Sequence, residues 1–199
     1  MPPEARAALE RWKMNQISIL GLDGFNKMQM ETLARGKNLH SAIQALFSGQ
    51  REAELDISEE LSPYWNSLQH VFMEARSVKH LEGYVIHPTL HYAGYFDCIA
   101  YYKDKLCLID WKTSTKQKPY LSSTFDNPLQ LAAYAGAVNS DSRYNLQIKE
   151  CLLVIAYADG SPAHAHLISE KKLQKYWEKW LQRVREHWQL VIPERRLKT

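Results

Sequence analysis

Residues 94–114 read GYFDCIAYYKDKLCLIDWKTS. Two runs rich in aromatic and β-branched residues flank the polar trio Lys103, Asp104 and Lys105, the pattern of two strands joined by a tight turn. With Lys103 and Asp104 as a two-residue turn, Tyr102 pairs with Lys105, and counting outward sets Asp97 opposite Asp110. Side chains repeat every second residue along a strand, so Asp110 and Lys112 share a face, and that face also carries Asp97. Opposed residues hold their Cβ atoms roughly 5 Å apart, and two like charges at that distance destabilise a sheet. Something positive has to stand between them.

A divalent cation meets that need. Mg²⁺ takes oxygen ligands, uses one or two carboxylates and leaves other positions to water and substrate phosphates. Lys112 adds a point charge beside it, suited to the charge that builds on a phosphate under in-line attack. Asp97, Asp110 and Lys112 therefore point to phosphodiester hydrolysis. The bland alternative is a solvated ion pair, since a bare D-x-K is expected about once by chance in a chain of this length. Context favours the chemical reading. Residues 106–111 are otherwise apolar, so Asp110 and Lys112 emerge from a strand expected to be buried on both faces, where charges are costly unless paired or metal-bound.

The order of motifs along the chain carries a resemblance. Gly94-x-x-Asp97, then Ile109-Asp110-Trp111-Lys112-Thr113-Ser114, then Gln130-x-x-x-Tyr134 is similar to the GxxD, (D/E)xK and QxxxY signatures of the RecB-type branch of the PD-(D/E)XK nucleases. Gly36-x-x-x-His40 fits that family's early helical motif. The resemblance implies an α/β fold with a restriction-endonuclease-like core, a mixed central sheet flanked by helices. It implies Asp97 and Asp110 as ligands of Mg²⁺ or Mn²⁺, the Trp111 main-chain carbonyl in the metal shell, His40 close to the metal and Lys112 as the catalytic lysine. Gln130 and Tyr134 would lie on a helix beside the centre, orienting the lysine or a DNA phosphate. Glu82, on an earlier strand, is a minor candidate. The activity implied is a single-stranded DNA exonuclease working at ends or flaps in mitochondrial DNA replication and maintenance, as a monomer, with replication proteins as further partners. An endonuclease of the same superfamily, resolvase or restriction-like, would share every catalytic residue, and an inactive nucleic-acid binding domain would share the fold.

The weaker motif members have structural readings too. His40 shares a helical face with Gly36, Ile43 and Phe47, where a lone histidine is commonly a hydrogen-bonded core residue. Gln130 and Tyr134 stand at i and i+4 on a helix that Asn127 is expected to cap and Pro128 to open, and a packed Gln-Tyr pair is ordinary.

A net charge of +3 does not by itself establish nucleic-acid binding. Its distribution says more: Lys112, Lys116 and Lys118 precede Tyr120 and Phe125 in one loop, and Arg35 and Lys37 flank Gly36. Lysines track phosphates and aromatic faces stack on unpaired bases, the pattern of a single-strand groove. Thr113 and Ser114 join the DNA-facing set with Gln130 and Tyr134. Cys98, Cys107 and Cys151 are an odd number without C-x-x-C spacing and read as reduced core residues. Relatives in the RecB-type branch that hold an iron-sulfur cluster use four cysteines, so no Fe-S cluster is expected.

With 199 residues and 45% hydrophobic content the chain suffices for one sizeable core, and one nuclease domain over 1–199 is expected. The longest apolar run, 151–157, is strand-sized and far from the roughly 20 residues of a membrane span, so a soluble protein without a membrane partner is expected. Residues 1–11 mix Arg6 and Arg11 with Glu4 and Glu10 and do not read as a mitochondrial presequence. Helices are expected over 2–20, 25–47 and 57–72, the last interrupted near Pro63, making a helical part to residue 75. Strands over 82–86, 91–102 and 105–113, a crossing helix over 128–138, and strands over 150–158 and 163–168 make a sheet core over 80–168. A closing helix over 169–192, capped by Ser169, carries a packing stripe through Leu173, Trp177, Trp180, Leu181, Val184 and Trp188.

Overall fold

The computed structural model describes residues 3–196; Pro2, expected in the first helix, lies outside the described residues. The hairpin forms as read. β1 (Ala75–Ile86) is followed by β2 (Ala93–Tyr102) and β3 (Lys105–Ser114), and the last two run antiparallel with Tyr102 opposite Lys105. Lys103 and Asp104 take φ values of 47° and 63°, the positive pair that a type I′ turn requires. β1 lies antiparallel on the outer side of β2, β4 (Glu150–Tyr157) parallel to β3, and β5 (His164–Ile168) antiparallel to β4, giving the order β1-β2-β3-β4-β5. Parallel neighbours need a crossover, and the segment carrying helix Asn127–Ser140 supplies it.

Among the described residues four α-helices cover the sheet: α1 (Pro3–Phe47), α2 (Ser62–Glu74), α3 (Asn127–Ser140) and α4 (Glu170–Arg196). On one side Leu39 and Ile43 of α1 and Leu68 and Val71 of α2 pack on Cys98, Ile109, Trp111 and Val154. On the other, Leu131, Ala135 and Val138 of α3 and Leu173 of α4 pack on Leu108, Leu153 and Ile155. Each fully buried aliphatic side chain contributes about 1.5–3 kcal/mol. Residues 107–111 and 151–157 are continuously buried, as central strands covered on both faces must be. All three cysteines are free and buried, Cys98 in β2, Cys107 in β3 and Cys151 in β4. Among the described residues no helix is long and apolar enough to cross a membrane.

Several boundaries differ from the sequence reading. The two expected N-terminal helices join at Gly21, whose φ of 71° and ψ of 168° only glycine adopts readily. The bend brings the Trp12 ring to 6.1 Å from Phe25, residues that a straight helix would hold about 20 Å apart. Pro63 does not interrupt a helix; it sits in the first turn of α2, where its missing N–H is not needed. β1 starts at Ala75 instead of residue 82, because its first half is a mostly exposed edge with a register shift between Arg76 and His80. β2 starts later than expected, since His87 to Tyr92 close a hydrogen-bonded turn. Asn127 is not the cap of α3: Asp126 holds that position through its carbonyl, and its side chain is drawn away by Arg183 at 2.8 Å. Ser169 does precede α4, its carbonyl accepting the N–H groups of Lys172 and Leu173.

Candidate metal centre and adjoining cleft

The β2–β3 ladder ends at Cys98 opposite Ile109, one step short of the expected Asp97–Asp110 pair. Cys98 packs into the core under α1 and α2, while Phe96 packs into the core under α3. The two-residue alternation therefore breaks at Asp97, and across from it on β1 Glu82 takes a φ of 48°. Pairing with β3 stops there, which leaves the Trp111 N–H without a ladder partner on that side. Asp97 Oδ2 accepts it at 2.9 Å. Trp111 is bound at its other end as well, its carbonyl lying 2.8 Å from His40 Nε2. A carbonyl only accepts, so Nε2 carries the proton and Nδ1 is turned to Asp97 Oδ1, 3.5 Å away.

One ligand atom each from His40, Glu82 and Asp97 lie within 4.8 Å of one another. Asp110 stands apart from that trio and faces Lys112, whose Nζ is 2.8 Å from Oδ1 and 2.6 Å from Oδ2. The second approach lacks hydrogen-bond direction, and buried Oδ2 has no other partner among the described residues. The sequence reading put Asp97 and Asp110 in one clasp and kept Glu82 at the edge; the structure brings Glu82 in and gives Asp110 to the lysine. The Trp111 carbonyl, expected in the metal shell, is engaged by His40.

The electrostatics fit a cation. Burial raises the Asp110 pKa against the pull of Lys112, and Asp97 pushes the same way. Burial would lower the Lys112 pKa, but the Asp110 charge and hydrogen bond outweigh it and leave it raised. Glu82 is raised by burial and by the Asp97 charge. For His40 burial works downward, yet Asp97 and the Trp111 carbonyl carry its pKa up. An Nδ1 lone pair facing a carboxylate and two crowded carboxylates call for positive charge, and imidazole with carboxylates is a donor set for divalent ions.

Helix α3 closes the centre from the other side. Gln130 Nε2 donates to the Tyr134 hydroxyl at 2.9 Å. A Cβ at Gly94 would overlap the Tyr134 ring, so the glycine of GxxD makes room for the tyrosine of QxxxY. Burial raises the Tyr134 pKa, with Gln130 opposing it and the charges of Asp110, Lys112 and Asp97 within reach. Gly36 has open space around it, and nothing in the structure explains a glycine there.

A cleft of about 830 Å³ opens beside Lys112. Thr113, Ser114, Lys118 and Arg35 line it, whereas Lys37, Lys116, Tyr120, Gln130 and Tyr134 do not. Lys118 Nζ donates to the Ser123 carbonyl at 3.0 Å and stands 4.5 Å above the exposed Phe125 ring. Arg35 is paired with Glu60 at 2.9 Å. The far wall comes from α1, through Trp12, Met28 and Leu33. The sequence reading did not foresee this wall; its one trace is the run of apolar side chains that α1 leaves exposed, Leu33 at 74% and Met30 at 71%.

The model of the PD-(D/E)XK nuclease superfamily matches residues 11–196, a span that takes in the five strands and the charged centre. The chain belongs to the PD-(D/E)XK nuclease superfamily. Within this superfamily it is similar to mitochondrial genome maintenance exonuclease 1 of Mus musculus, 45% identical over 187 residues, which cover 94% of this chain and 55% of the mouse protein. The Homo sapiens protein of that name is 46% identical over 180 residues, covering 90% of this chain and 52% of its own length. The Xenopus tropicalis protein is 44% identical over 187 residues, covering 94% and 54%. The chain spans about half the length of the curated relatives it matches.

Proposed function

We propose that residues 1–199 form one nuclease domain, a divalent-metal-dependent exonuclease that hydrolyses phosphodiester bonds at ends or flaps of single-stranded DNA in mitochondrial DNA replication and maintenance. The observation that carries this reading is the cluster of His40, Glu82 and Asp97 beside the Asp110–Lys112 pair, at the point where β2 and β3 part. Superfamily membership and relatives named for mitochondrial genome maintenance support it.

Asp97, Asp110, Glu82 and His40 are the residues that would hold Mg²⁺ or Mn²⁺. When bound, such an ion supplies the charge that polarises a phosphoryl oxygen and acidifies water. His40 fixes the Trp111 main chain and directs Nδ1 inward. Lys112, held by Asp110, presents its ammonium where phosphate charge grows, a contribution worth roughly 2.7–4 kcal/mol when one such donor is lost. Gln130 and Tyr134 brace that lysine from α3. Thr113, Ser114, Lys118 and Arg35 contact the strand in the cleft, with Lys37, Lys116 and Tyr120 as outer contacts. The protein works as a monomer, and replication proteins are its further partners.

Digestion of labelled linear and closed circular single strands, with Mg²⁺, Mn²⁺ or chelator, tests the reading. Linear strands are expected to shorten from an end while circles survive, and chelator stops the reaction. Cutting of circles would establish an endonuclease instead, and undiminished digestion in chelator would remove the metal from the scheme.

A further inference from the structure

Beyond the centre, β1 and β2 continue toward their shared turn, where Tyr84 lies directly opposite Tyr95. Their strand neighbours Val85 and Phe96 are fully buried in the core under α3, so alternation turns both tyrosines to the opposite side of the sheet, the side of α1 and His40. The rings lie 4.8 Å apart at 44°. Tyr95 is 64% exposed and Tyr84 39%. The strand beneath them is pinned, because the Tyr84 carbonyl accepts from the Tyr144 hydroxyl at 2.8 Å and from Arg143 at 3.2 Å. The backbone is therefore set while the Tyr95 ring stays largely exposed.

A cross-strand aromatic pair stabilises any hairpin by roughly 0.2–1 kcal/mol, which accounts for its presence but not its place. Its place is two residues along from Glu82 and Asp97, about 6–7 Å at strand rise. Neither ring lines the cleft, which reaches the centre through Lys112. A strand drawn from the cleft across the centre would next meet these rings. Aromatic faces accept any unpaired base, and bases stacked in a duplex do not present their faces.

We infer that Tyr95 and Tyr84 form a stacking platform for one unpaired nucleobase next to the scissile phosphate, outside the cleft. The inference rests on the nuclease reading above and adds a positioning site to it. The platform holds the strand and takes no part in bond breaking.

The test uses labelled single-stranded oligonucleotides in which one abasic nucleotide is moved a position at a time. Binding to the full chain is read by anisotropy in chelator, and KM and kcat are read with Mg²⁺. In the unmodified protein one position is expected to stand out, its missing base weakening binding about tenfold. Tyr95→Ala should lose about the same on intact DNA, chiefly in KM, and lose nothing more when that base is absent. Tyr95→Trp should restore the affinity. A flat abasic scan in the unmodified protein would overturn the platform whatever the variants do, as would an abasic loss that persists in Tyr95→Ala. Failure to cleave any DNA with either metal would overturn the nuclease reading itself, a result distinct from cleavage with a flat scan.

Discussion

Trp111 gives its N–H to Asp97 and its carbonyl to His40, so the main chain of a single residue fixes the spacing of both. The same economy joins Gly94 to Tyr134. Gly94→Ala drives a methyl into the Tyr134 ring and is expected to cost roughly 1–3 kcal/mol, several degrees in Tm. Thermal denaturation checks the cost, and activity should fall with it because Tyr134 stands beside Lys112. The register from Tyr102–Lys105 to Cys98–Ile109 was legible in the sequence because it depends only on counting from the turn. The break at Asp97 was not legible. It arises from Phe96 and Cys98 choosing different cores and from a positive φ at Glu82, an acidic residue with no propensity signal for that conformation.

The elements that hold the centre make their own demands. The β1–β2 turn is built on His87, whose Nδ1 accepts the Leu90 N–H at 3.2 Å and whose ring stacks on Trp177 at 5.8 Å. Burial lowers its pKa below the ordinary 6.5, and His91 adds to the effect. An unfolded chain takes up that proton near pH 6.5 and the folded one only lower, so stability is complete above about pH 6.5 and is lost as pH falls toward the folded value. Tm measured at pH 5 and pH 7.5 should fall more for the unmodified protein than for His87→Asn, which keeps an acceptor and does not titrate. Helices α3 and α4 meet where a Cβ at Gly136 would overlap the Trp177 ring. Gly136→Ala is expected to lower Tm by several degrees through that contact, roughly 1–3 kcal/mol, although alanine is the better helix former. The stripe through Leu173, Trp177 and Val184 was readable from its spacing as packing. The start of α2 was not, because Pro63 fits either a break or a first turn and only tertiary burial of Trp65 and Leu68 decides.

At the scale of the molecule, two cores clamp a five-stranded sheet whose central strands part at the charged centre, and the cleft leads away from it past Lys112. A mixed sheet followed from the alternation of strand and helix signals, whereas the α1 wall of the cleft did not. Its exposed apolar residues carry no periodicity that distinguishes a cleft wall from a solvent face. Affinity for a strand should weaken with salt in proportion to the phosphates that the lysines and arginines along the cleft neutralise, whatever the net charge of +3. Single-turnover cleavage of a linear single strand by Asp97→Asn, Asp110→Asn and Lys112→Ala, set beside binding of the same strand in chelator, tests the catalytic assignment most directly. Cleavage should fall at least about 10²–10³-fold in each variant while binding stays within a few-fold. A variant that still cleaves at the unmodified rate would place the chemistry elsewhere.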